Sequence, residues 1–179
     1  LRPGYDGWWN KLQMFDPANK TSDRMIYLDL DTVITGNIDW LLTDNSWFMG
    51  IEDVGAVNAH QPHLKGVLQT GVLSWDFNPN NYLWNEFVLG YDRVIDSYRG
   101  DGEYLSSRMN PYNRTLLQEK YPGKLKSYKY QVYPGPPDAE TSLICFHGRP
   151  SIQQAMVQEI TTPMATYEPQ QWIKDYWST

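Results

Sequence analysis

The chain has 179 residues, is 41% hydrophobic and 20% charged, and carries a formal net charge of −6. That length suits one domain with a core of its own, and the acidic balance excludes a nucleic-acid backbone as the main partner, since that calls for a basic surface. No apolar run approaches the roughly 20 residues that cross a bilayer, so no membrane span is expected, and a lone cysteine, Cys145, excludes an internal disulfide.

The first residues, Leu1-Arg2-Pro3-Gly4, show no basic-then-apolar signal pattern. With the single cysteine, this points to a reducing, cytoplasmic compartment. In chain order, residues 7–15 read as a short helix with Trp8, Leu12 and Phe15 on one face, ended by Asp16-Pro17. Residues 24–31 read as a buried strand that terminates in carboxylates. Gly36-Asn37 turns the chain into a short helix over 38–42, and 47–52 is a second strand. Residues 67–75 form a third strand containing Gly71, a position where glycine often marks close approach of a ligand or another backbone. Asn78-Pro79 opens a helix that runs to about Leu89, with Asn78 as its cap. A further helix covers 100–109 and begins with Asp101 and Glu103. Residues 128–133 alternate like a short strand, and 134–137 form a rigid proline loop. The apolar run 142–146 is another buried strand, in which Cys145 is an inert buried thiol. Pro163 and Pro169 divide a tail whose residues 172–177 dock as a helix.

Alternation of strands and helices predicts an α/β sandwich with a mixed central sheet. The whole of 1–179 reads as one domain, with a core over about 7–150 and a helical tail over 151–179. In such folds ligands sit beyond the carboxyl ends of strands. Asp29 and Asp31 occupy one such end and His147 another. Two residues apart on a strand, the two carboxylates would share a face about 7 Å apart and repel one another. A divalent cation relieves that repulsion. Oxygen ligands suit Mg²⁺ or Mn²⁺, and a nearby histidine tilts the choice to Mn²⁺. The alternative is a pair of solvated aspartates at a strand-to-loop junction. Behind His147, Gly148 lets the backbone approach a ligand and Arg149 can grip phosphate.

The segment Tyr27-Leu28-Asp29-Leu30-Asp31-Thr32-Val33-Ile34-Thr35-Gly36-Asn37-Ile38 resembles the Asp-x-Asp segment of family 8 and related GT-A glycosyltransferases. Gly7-Trp8-Trp9-Asn10-Lys11-Leu12 is similar to the lysine-bearing helix before that segment in a bacterial and viral branch. Gln69-Thr70-Gly71-Val72 is similar to the Asn-Ser-Gly-Val strand near the donor sugar. Gly100-Asp101-Gly102-Glu103 resembles the Asp-Gln-Asp element, with Gly102 in place of the usual glutamine. Cys145-Phe146-His147-Gly148-Arg149-Pro150 resembles the histidine segment, with Ser151 near the usual lysine. The resemblance spans about 7–150 and lacks the strand and helix that normally open such a domain, since only 28 residues precede Asp29.

The resemblance implies a GT-A-like, Rossmann-like fold and transfer of a sugar from a nucleotide diphosphate, a UDP-sugar by family, to a carbohydrate or other hydroxyl acceptor. It implies retention of anomeric configuration. Asp31 and His147 would ligate Mn²⁺ (or Mg²⁺), with Asp29 bridging to the metal or the ribose. Lys11 and Arg149 would face the diphosphate, Gln69, Thr70, Gly71 and Gly148 would line the donor site, and Asp101 and Glu103 would face the donor sugar or acceptor as the catalytic pair. Two other readings stand beside it. In a haloacid-dehalogenase-type phosphatase Asp29 would be nucleophile and Asp31 general acid. In a non-catalytic sugar-binding derivative of a transferase there would be no turnover, and a homo-oligomer whose neighbour completes a sheet edge is a related form.

Overall fold

Residues 68–76, Leu-Gln-Thr-Gly-Val-Leu-Ser-Trp-Asp, are nearly all buried and build the strand around which the first sheet forms. The computed structural model describes residues 4–54, 62–109 and 111–177. In chain order the strands are β1 (Arg24–Leu28), β2 (Thr32–Ile34), β3 (Phe48–Glu52), β4 (Leu68–Asp76), β5 (Thr115–Leu116), β6 (Leu125–Ser127), β7 (Leu143–Cys145), β8 (Ile160–Thr161) and β9 (Thr166–Tyr167). The α-helical segments are α1 (Trp40–Thr43), α2 (Phe77–Asn80), α3 (Tyr82–Leu89), α4 (Tyr91–Ser97), α5 (Asp101–Arg108), α6 (Leu117–Lys120) and α7 (Ile152–Val157). The chain divides into two compact units, Leu1–Leu28 with Leu41–Leu117, and Asp29–Trp40 with Gln118–Thr179.

The first unit contains a four-stranded mixed sheet in the order β1-β4-β3-β5, antiparallel except for the β3–β5 pair. Arg24 lies opposite Asp76, and its Nη1 meets Asp76 Oδ1 at 2.9 Å, a cross-strand charge pair that pins the β1–β4 register. Large aromatics fill the core. Phe15 packs on Trp75 with ring centroids 5.0 Å apart, and Phe87 meets Tyr104 and Trp9. The amino-terminal helix, Gly7–Phe15, is a 3₁₀ helix. Its side chains repeat every three residues, so Trp9, Leu12 and Phe15 form the buried stripe. Trp8, expected inside, is 57% exposed.

The second unit holds a three-stranded sheet, β2-β7-β6, with β2–β7 antiparallel and β6–β7 parallel, and the small β8–β9 hairpin. Its core gathers Val33, Tyr128, Ile144, Phe146, Ile152, Ala155, Tyr167 and Ile173. Tyr128 stacks on Phe146 with centroids 4.2 Å apart. Ser151 opens α7 with a reciprocal capping box to Gln154, which satisfies two of the helix's unpaired amide groups.

Several sequence expectations need correction. The strand expected over 24–31 ends at Leu28, because Thr32 N–H turns back to the Asp29 carbonyl at 3.0 Å. The helix expected from Asn78 is two segments: α2 begins at Phe77, and Asn81 precedes α3. Residues 128–133 are one wide turn rather than a strand, closed by Tyr133 N–H donating to the Tyr128 carbonyl at 2.9 Å. Tyr128 and Val132, four apart, both point inward, a helical spacing that overrides the alternation of the sequence. The tail expected to form a helix over 172–177 forms a 3₁₀ turn, Gln171–Asp175, anchored by buried Ile173.

Candidate active site

In the first unit Lys11, Thr70 and Asp101 converge on a bulge in β4. Gly50 of β3 faces Leu73, but the next residue, Ile51, faces Gln69. Residues 70–72 therefore have no partner on β3, and Val72 is the last to pair with β1. Bulges re-aim side chains and concentrate near functional sites. Here the bulge turns the buried Thr70 hydroxyl towards Asp101, to which it donates at 2.6 Å, and Lys11 Nζ donates to the same Thr70 oxygen at 3.4 Å. The Lys11 ammonium also stands 5.7 Å from the centroid of the Tyr27 ring, an attraction to the π-face. Lys11, Thr70 and Asp101, from three separate segments of the chain, thus form one connected chain of polar contacts. Gln69 Oε1 is buried with no hydrogen-bond partner among the described residues, and a buried polar atom of this kind calls for a ligand or water.

Gly102 explains how α5 comes so close. A Cβ at that position would lie 2.1 Å from the Leu68 carbonyl oxygen. Ser106 completes the junction: its Oγ accepts from Leu68 N–H at 2.7 Å and donates to the Gly102 carbonyl at 2.6 Å. Backbone thus meets backbone at the start of α5, which sets Asp101 against Thr70. Glu103 faces elsewhere. It accepts from the Arg99 amide at 2.7 Å and pairs with the Arg99 guanidinium at 3.2 Å. Those Arg99 hydrogen bonds, amide first and side chain second, hold its carboxyl below the usual range.

In the second unit Asp29, Leu30 and Asp31 form a tight turn rather than a strand end. Leu30 is 90% exposed, Asp31 is exposed and Asp29 half-buried. The two carboxylates do not share the face of one strand, which corrects the expected arrangement. The Asp31 carbonyl accepts from Phe146 N–H at 2.8 Å, extending the β2–β7 ladder by one step, and His147 follows directly. His147 Nε2 lies 3.1 Å from Ser127 Oγ, while its Nδ1 is buried with no partner among the described residues. Burial first, and the Lys129 charge second, lower its pKa to about 4, so the ring is neutral near pH 7. In the tautomer whose Nε2–H donates to Ser127, Nδ1 carries the lone pair. A neutral imidazole oriented by a hydrogen bond through its other nitrogen is what a metal ligand requires. The donor types of Asp29, Asp31 and His147 therefore suit a divalent cation. Among the described residues, however, no three His, Cys, Asp or Glu side chains are gathered closely enough to hold one.

Gly148 adopts φ +70°, a left-handed turn that favours glycine. It swings the chain past Lys129, whose Nζ would lie 3.6 Å from a Cβ at Gly148, and presents Arg149 at the surface. Lys129 and Ser127 were not singled out by sequence. Lys129 falls in the segment 128–133 that reads as a strand, and Ser127 lies just before it.

By sequence, no family model matches this chain and no curated protein matches it. The structure, by contrast, shares its fold with a solved protein. It is similar to the crystal structure of the glycosyltransferase GlyE in Streptococcus pneumoniae TIGR4, with a TM-score of 0.56 and 14% identity, over 83% of this chain and 38% of that one. The chain thus spans well under half the length of that structure. Among the described residues no helix is long and apolar enough to cross a membrane.

Proposed function

We propose that the protein is a GT-A-type glycosyltransferase related to family 8, moving a sugar from a nucleotide diphosphate, a UDP-sugar by resemblance, to a hydroxyl acceptor with retention of configuration. The observation that carries this reading is the likeness of the fold to a glycosyltransferase over most of the chain. Two orphaned buried atoms, Gln69 Oε1 and His147 Nδ1, lie on residues that the family resemblance names, and this supports it further.

In this reading Asp29, Asp31 and His147 would hold Mn²⁺ or Mg²⁺ once drawn closer together than they stand, and the metal would supply positive charge at the diphosphate. His147 is kept neutral by burial and oriented by Ser127. Arg149 adds positive charge at the diphosphate, and Gly148 lets the backbone close on it. Gln69, Thr70 and Gly71 line the sugar pocket. Asp101, held by the Thr70 hydroxyl, orients a sugar hydroxyl; Glu103 can join it only by releasing Arg99. A second reading, a sugar-binding derivative without turnover, is favoured by that Arg99–Glu103 pairing and by the dispersed metal ligands.

Calorimetric titration of UDP and GDP, with and without Mn²⁺, separates the two. The transferase reading expects nucleotide binding that requires Mn²⁺ and is lost in Asp31→Ala. Absence of any nucleotide binding to folded wild-type protein with Mn²⁺ present would move the assignment to the non-catalytic derivative.

A further inference from the structure

A cleft of about 400 Å³ in the second unit is lined by Lys129, Arg149 and residues 161–164 of the β8–β9 hairpin. Neither cation makes an ion pair among the described residues, although the chain carries 21 acidic side chains. None of those acids lines the cleft. Lys129 is half-buried, and that burial lowers its pKa. A partly desolvated ammonium without a counter-charge is unfavourable, and a guanidinium lining the same cleft adds like-charge repulsion. Both costs are offset when an anion occupies the cleft.

The walls are fixed before any ligand arrives. Thr161 Oγ1 lies 3.1 Å from Thr166 Oγ1 across the hairpin. Thr162 Oγ1 donates to the Ala165 carbonyl at 3.1 Å and accepts from the Met164 and Ala165 amides, each at 3.2 Å. Pro163 and Met164 give the cleft an apolar side. The left-handed turn at Gly148 carries the chain past the Lys129 ammonium to Arg149. Lysine offers a point charge and arginine a planar fork, a combination suited to tetrahedral oxyanions.

We propose that this cleft is an oxyanion site, with Lys129 and Arg149 as its two cationic arms, and that it takes a diphosphate or phosphate ester. The site stands on its own side chains; where it serves the donor's diphosphate it deepens the transferase reading and rests on it, adding Lys129 and the hairpin to Arg149.

The test is titration of inorganic pyrophosphate, at low ionic strength and without metal, into wild type, Lys129→Gln, Lys129→Met, Arg149→Gln and a Lys124→Gln control, with folding of each verified by circular dichroism. Saturable binding weakened about tenfold or more by each change at 129 and 149, and unchanged by Lys124→Gln, supports the site. No binding to folded wild type, or equal binding in all variants, overturns it. Competition with UDP in Mn²⁺ identifies the source. Mutual displacement assigns the cleft to the donor diphosphate, and independent binding assigns it to a free anion. UDP binding without any pyrophosphate binding would sink this inference while leaving the transferase reading intact. The reverse pattern would sink the transferase reading alone.

Discussion

A methyl group at position 102 has nowhere to go, because the Leu68 carbonyl oxygen would stand 2.1 Å from it. The obstacle is backbone, not a side chain that can swing aside, so α5 must move away from β4. That movement stretches the 2.6 Å contact between Thr70 and Asp101. Gly102→Ala is therefore expected to cost about 2 kcal/mol of stability, as overpacking of a buried junction does, measured by urea unfolding. If Asp101 serves the sugar site, donor affinity falls in the same variant. Wild-type stability in Gly102→Ala would show that the α5–β4 contact is looser than described. By sequence, Gly102 stood out only as a departure from the glutamine of related enzymes; the reason for it is a steric contact 34 residues away in the chain, which no local pattern encodes.

At the scale of elements, the amino-terminal helix is the clearest case of a correct segment with the wrong face. Its extent, Gly7–Phe15, was legible from composition and from the Asp16-Pro17 stop. Its inner stripe was not, because an α-helical period puts residue 8 inside and a 3₁₀ period puts residue 9 there. Trp9 is 7% exposed against 57% for Trp8. Trp9→Ala should destabilise by about 3–5 kcal/mol, the range for emptying a large buried aromatic site, and Trp8→Ala by less than about 1 kcal/mol. Thermal or urea unfolding of the pair decides it, and a larger effect at Trp8 would restore the α-helical face. The β4 bulge belongs to the same scale. Gly71 marked the place in the sequence, whereas the three-residue slip against β3 arises from pairing with a distant strand.

For the whole molecule, the acid limb of the stability curve carries the signature of His147. Its folded pKa, about 4, lies below the unfolded value of 6.5. Between those values the folded protein binds fewer protons than the unfolded chain, so stability rises with pH. It is complete above about 6.5 and declines as pH falls towards about 4. Asp138 acts lower down. The Lys126 and Thr141 hydrogen bonds hold its carboxyl at about 2, so its contribution is lost only as pH falls from about 3.8 to about 2. In metal-free protein, His147→Gln should flatten the curve between about pH 6.5 and 4 and leave the lower region unchanged. An unaltered slope in that window would mean that the imidazole is solvated when folded.

The sequence by itself determined the α/β class, the places of β1, β3, β4 and β7 and of the helices over 7–15 and α5, and the residue types that could carry chemistry, because hydrophobic periodicity, prolines and glycines act over a few residues. Tertiary structure alone decided that Asp29 and Asp31 sit on a turn instead of a strand, since that depends on Thr32 folding back to Asp29 and on Phe146 pairing with Asp31. It also decided that Thr70 links Lys11 to Asp101, that Glu103 is engaged by Arg99, and that Lys129 shares a cleft with Arg149. Each of these joins residues far apart in sequence or depends on how a loop closes. Such contacts are set by burial and by the completion of backbone hydrogen bonds across the fold, which local composition does not specify.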